Sequence, residues 1–152
     1  MINTSKSPRT LLTRVAPLAL LLLASVNLYA QQPMPIYLNG DSEVPPVPTL
    51  ATGTVQITVR SDHTVSGSIK ISGMTATMAH IHEAAAGKNG PPVITLAKTG
   101  YDSFAVPADA KLTDAQYASY MAGNLYVNVH SELYPNGEIR VQLPGKSMGM
   151  GY

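Results

Sequence analysis

The chain has 152 residues, with ten Lys and Arg against nine Asp and Glu and a formal net charge of +1 at pH 7. This balance leaves no basic patch for nucleic acid and no cationic cluster for anionic lipid. Cysteine is absent, so core packing alone must hold the fold, and metal donors must come from His, Met, carboxylate or backbone.

Lys6, Arg9 and Arg14 precede an apolar run from Val15 to Val26, and Leu28-Tyr29-Ala30 puts a small residue at a cleavage point. The pattern predicts an export signal over residues 1–30. The run is shorter than the roughly 20 residues of a spanning helix, and it contains Pro17. Cleavage after Ala30 leaves 122 residues, a size that suits one domain. It also removes three cations, so seven Lys and Arg face nine acids and the mature charge is −2 with neutral histidines. The expected destination is the periplasm or the cell exterior, with no membrane contact once the signal is gone.

Residues 31–35 read as a linker and 36–144 as the domain. Ile36-Tyr37-Leu38 is a first strand, stopped by Asn39-Gly40. Glu43 to Pro48 holds three prolines, so it reads as an extended segment at a sheet edge, anchored by the Glu43 carboxylate on backbone N–H groups. Gly53–Arg60 alternates, with Val55, Ile57 and Val59 on one face. Ser61-Asp62-His63-Thr64 is a turn with a solvated histidine. Val65–Ile71 alternates again, and Gly67 marks a bulge or a close approach.

Thr77–His82 is the next strand, with Ala79 and Ile81 facing the core. A loop over Ala84–Pro92 leads to short strands at Val93–Leu96 and Phe104–Val106. Leu112–Gly123 is the one good helix, with Thr113 as N-cap and Gln116 as its capping-box partner. Asn124–Ser131 and Glu138–Leu143 form the last hairpin around Tyr134-Pro135-Asn136-Gly137. In its second strand Ile139, Val141 and Leu143 face in, and Glu138, Arg140 and Gln142 face out. Residues 145–152 read as a loose tail. The short alternating strands predict an all-β antiparallel sandwich with one short helix before the last hairpin.

Three histidines carry the chemistry. His80 and His82 share a strand face about 6.6–6.8 Å apart. His130 sits with Tyr126 and Asn128 on the face opposite Leu125, Val127 and Val129. If the two strands are neighbours, three imidazoles converge on a solvent-facing metal site. Donor atoms about 4 Å apart would then surround one ion. Met78 shares the face and would favour Cu(I) as a donor. Asn128 and Glu138 are placed to hydrogen-bond an imidazole and fix its tautomer. Ser131 follows His130 directly and cannot pair with it. The chain has no Gly-x-Ser-x-Gly, no Walker loop and no His-Glu-x-x-His.

Five segments together resemble the CHRD family, named for the repeated domain in chordin. They are Leu38-Asn39-Gly40 with Glu43–Val47, then Ala79–His82, Gly90–Val93, Gly123–Ser131 and Tyr134–Leu143. They occur in the family's order and cover about residues 36–143. Val141 stands where the family's usual Gly-Glu-Ile-Arg-Gly ends in glycine. The resemblance implies an immunoglobulin-like sandwich in a secreted, stand-alone bacterial-type protein, and it leaves the activity undefined. A His-x-His strand plus one distant His is also similar to the copper site of copper–zinc superoxide dismutases. That family's bridging histidine, zinc-loop ligands and disulfide have no counterparts.

The leading expectation is therefore binding, without turnover, of a transition metal by His80, His82 and His130, copper before zinc. An extracellular protein-interaction module without metal is the alternative. A copper-dependent redox enzyme is the third.

Overall fold

The computed structural model describes residues 35–145, and the expected export signal and all but the first residue of the expected tail lie outside them. Nine strands and one helix follow in order: β1 Ile36–Leu38, β2 Thr52–Val59, β3 Val65–Ser72, β4 Ala76–Glu83, β5 Pro92–Thr95, β6 Ala97–Lys98, β7 Ser103–Ala105, α1 Asp114–Met121, β8 Leu125–Ser131 and β9 Ile139–Gln142. They form two antiparallel sheets, β1-β2-β3-β7-β6 and β5-β4-β8-β9. This is the expected all-β sandwich. The two-residue β6 was not foreseen, because it is too short to alternate.

Alternation explains the packing. Val55, Val59, Ile69, Ile71 and Phe104 from the first sheet meet Ala79, Ile81, Leu125, Val127, Val129 and Ile139 from the second, all buried. Gly67 has φ +132°, and a Cβ there would lie 1.9 Å from the Gln56 carbonyl oxygen, so the β2–β3 hairpin requires glycine at this point. In β4 the pairing register to β8 shifts between Ala76 and Met78. That bulge lets Ala76 and Ala79 both reach the core, and it sets the phase that turns His80 and His82 away from it.

The sheets are joined at their sides. Buried Leu96 alone separates β5 from β6, so the chain passes from one sheet to the other in a single residue, and its N–H donates to the Ala79 carbonyl (2.9 Å). On the other side β1 meets β9 through reciprocal bonds between Asn39 and Arg140, at 3.2 and 2.9 Å. The capping box of α1 is present: the Gln116 N–H donates to Thr113 Oγ1 (3.2 Å), and the Thr113 N–H donates to Gln116 Oε1 (2.9 Å). No helix among the described residues is long and apolar enough to cross a membrane.

One expectation fails in an instructive way. The outer face of the second sheet is largely covered rather than solvated. Every residue of β8 is buried, and Arg140 and Glu138, expected to face out, are 1 % and 5 % exposed. Hydrogen bonds from this face reach residues 43–49 of the proline-rich strap after β1 and the loop 84–91 after β4. A second, polar interior thus lies behind the sheet.

Candidate metal centre

Antiparallel pairing of β4 with β8 sets His80 opposite Asn128, His82 opposite Tyr126 and Met78 opposite His130. The three imidazoles therefore come from adjacent strands and the same face. One ring nitrogen from each of His80, His82 and His130 lies within 4.8 Å of the others, the one such grouping among the described residues. His80 Nδ1 is 3.0 Å from His130 Nε2. The His80 ring stands nearly perpendicular to His82, with centroids 5.5 Å apart, and is tilted by 75° to His130.

The 4.8 Å spread exceeds the expected 4 Å. Two nitrogens on one ion at bond lengths of about 2.0–2.1 Å sit at most about 4.2 Å apart, so the widest pair must close by about 0.6 Å. At this spacing His80 and His130 hydrogen-bond each other. The site is also not the surface site expected. His130 is 6 % exposed, and His80 and His82 are half-buried. The strap and loop that bury the rest of this face account for the difference.

Hydrogen bonds set the tautomers. His82 Nδ1 faces the Gly90 carbonyl at 2.9 Å, and His130 Nδ1 faces the Pro135 carbonyl at 2.9 Å. A carbonyl only accepts, so both Nδ1 atoms carry the proton and both Nε2 atoms keep a lone pair. His130 Nε2 accepts from His80. His82 Nε2 is buried without any partner. Asn128 and Glu138 do not play the part expected of them. Asn128 Nδ2 donates to Glu43 Oε1 (2.6 Å), and Glu138 accepts from Thr49 (2.7 Å) and Ser131.

Other expectations resolve locally. Met78 is 47 % exposed at the rim. His63 is not simply solvated: at φ +69° its ring stacks on Tyr117, with centroids 4.1 Å apart, and Nδ1 is 3.4 Å from an Asp114 carboxylate oxygen. Glu43 is buried, and its carboxyl accepts from the Asn128 side chain of the sheet.

Burial holds all three imidazoles below their usual pKa. Neighbouring imidazoles add to this at His80, while the Gly90 and Pro135 carbonyls oppose it at His82 and His130. They are therefore neutral near pH 7, the form a metal requires. Below pH 6.5 the unfolded chain takes up protons that the folded one refuses. Stability of the metal-free protein is thus expected to fall as pH drops through 6.5 toward the lowered folded values.

Glu43 has the opposite sense. Burial pushes its carboxyl up from 4.5 to about 7, against the pull of Arg140. The folded state keeps a proton that the unfolded state releases, so stability falls as pH rises from 4.5 to about 7. Glu43→Gln should remove this loss and stabilise the protein at pH 8 by on the order of 2 kcal/mol relative to pH 5. Urea unfolding at the two pH values checks it, and an equal effect at both would contradict it.

Among the residues that sequence reasoning missed, Gly90 and Pro135 matter most. They act through backbone oxygens, which have no side-chain signature. Their only trace was the turn chemistry of Gly90-Pro91-Pro92 and Tyr134-Pro135-Asn136-Gly137. Tyr126 and Arg140 were also missed. The Tyr126 ring stacks on His82 (centroids 4.9 Å apart, 14° between planes), and the Arg140 guanidinium carbon lies 3.4 Å from the Tyr126 ring centroid.

The family model for the CHRD domain matches residues 34–143. No curated protein matches the chain. No solved structure matches it either.

Proposed function

The chain belongs to the CHRD domain family. From the histidine cluster we propose that it binds one transition-metal ion, copper before zinc, through His80, His82 and His130. The observation that carries the reading is the buried, unpartnered Nε2 of His82 beside the His80–His130 pair. A buried polar atom without a partner costs about 1–3 kcal/mol, and an ion at this point removes that cost. All-imidazole donation without thiolate suits copper or zinc, and copper forms the stronger complexes with such ligands.

The role is holding the ion, in an exported protein whose signal is residues 1–30. CHRD domains occur in secreted proteins, which supports that destination. Titration of chelator-treated protein with Cu(II) and with zinc should give one equivalent of each, bound more tightly for copper. Affinity should weaken below about pH 6 as the imidazoles take protons. A flat titration would remove the reading. The protein-interaction alternative draws on Leu50 and Leu133, which are 96 % and 83 % exposed. It expects a partner whose binding ignores chelators.

A further inference from the structure

Arg140 is the largest fully buried side chain of the described residues, yet it hydrogen-bonds no carboxylate. Its Nη1 donates to Asn89 Oδ1 (3.1 Å), and its Nη2 donates to the Lys88 carbonyl (2.9 Å) and Gln142 Oε1 (3.3 Å). All its hydrogen-bond acceptors are neutral and the Glu43 carboxyl acts on it only through space, so burying this cation is expensive, and a packed apolar residue would serve stability as well or better. The arrangement therefore calls for a reason other than stability.

Each arm of the guanidinium leads to His82. The first runs through loop 84–91. Arg140 grips Lys88 and Asn89, and Asn89 Nδ2 also donates to the Val44 carbonyl of the strap (2.7 Å). The next residue is Gly90, whose carbonyl accepts a hydrogen bond from His82 Nδ1–H. The second arm runs through Tyr126. β8 lies between β4 and β9, so Tyr126 stands between His82 and Arg140. The cation packs on its ring, and the ring stacks on the imidazole. The Tyr126 hydroxyl accepts from the Gly90 N–H at 3.2 Å, which ties the two arms together.

We propose that Arg140 is a positioning residue for the metal centre: by pinning loop 84–91 and the Tyr126 ring, it holds His82 as the Nδ1–H tautomer with Nε2 presented to the ion, so that the loop controls how fast the ion leaves. The proposal rests on the three-histidine reading and adds to it a mechanism of release. Release then needs no protonation. Whatever loosens the loop frees Gly90, lets His82 turn or change tautomer, and withdraws one of three ligands.

Two variants test it. Asn89→Ala removes one anchor of the loop at an exposed position, and with it the acceptor of Arg140 Nη1. Arg140→Lys keeps the charge and loses the planar fork and the stacking face. The first readout uses metal-free protein: nitrogen NMR of the His82 ring, which distinguishes Nδ1–H from Nε2–H. Wild type should be Nδ1–H, and both variants should show a mixture. The second readout is copper loss to excess chelator by stopped flow, expected to quicken roughly tenfold or more in both. At saturation, nitrogen hyperfine splitting should still count three imidazoles.

An unchanged tautomer with an unchanged off-rate in Asn89→Ala overturns the proposal, even if Arg140→Lys fails to fold. A wild type that takes up no copper overturns the three-histidine reading and the release half with it. The tautomer shift then decides the positioning half on its own.

Discussion

Replacing His80 and His130 together by alanine is expected to abolish stoichiometric copper binding while the sandwich stays folded. The two side chains supply two of three donors and meet each other at 3.0 Å. Binding free energies of about 10–16 kcal/mol for four-ligand sites make each ligand worth about 3 kcal/mol, so losing two weakens binding by more than about a thousandfold. The fold should tolerate the change. His80 is half-buried and its partner is removed with it, so no unpaired group is left between them. The Pro135 carbonyl loses its donor, but Pro135 is exposed and water can replace the imidazole. Calorimetric titration gives the binding result and far-UV circular dichroism the fold. One equivalent still bound would place the site elsewhere.

The largest stability effect is expected at Phe104. It is the only phenylalanine in the chain and is 1 % exposed. On β7 it pairs with Ile69 of β3 on one side and Lys98 of β6 on the other, and the Lys98 ammonium lies 5.7 Å from its ring centroid. Phe104→Ala should cost about 3–5 kcal/mol, from lost transfer energy and the cavity left behind. Domains of this size carry about 5–15 kcal/mol in all, and no disulfide limits the unfolded chain here. Phe104→Leu, which keeps most of the volume, should cost under about 1.5 kcal/mol. Urea unfolding with an unchanged m-value checks both, and equal losses would show that ring volume is not what the core needs.

The inner half of the fold was legible from the sequence because it obeys a two-residue period. Val55 and Val59, Ile69 and Ile71, Ala79 and Ile81, Val127 and Val129 all point where alternation puts them. The same period placed the three histidines on one face, and the Thr113–Gln116 cap read out locally. The cover over that face did not read out. Glu138, Arg140 and Gln142 have the polarity of a solvated strand, and only the return of the strap and the loop buries Glu138 and Arg140 and half-buries Gln142. Those returns depend on contacts between residues far apart in the chain, such as Asn89 with Val44 and Glu43 with Asn128. The stack of His63 on Tyr117 is illegible for the same reason.

The seam where β1 meets β9 bears on how this domain lives beside others of its kind. Asn39 and Arg140 occupy each other's backbone donors and acceptors there, and on the far side the chain folds straight over from β5 into β6. An intruding segment from a neighbouring molecule meets mutually engaged amides at the first border and a continuous corner at the second. Fibrous self-templating is discouraged by geometry, in a chain that has no covalent cross-link to fall back on.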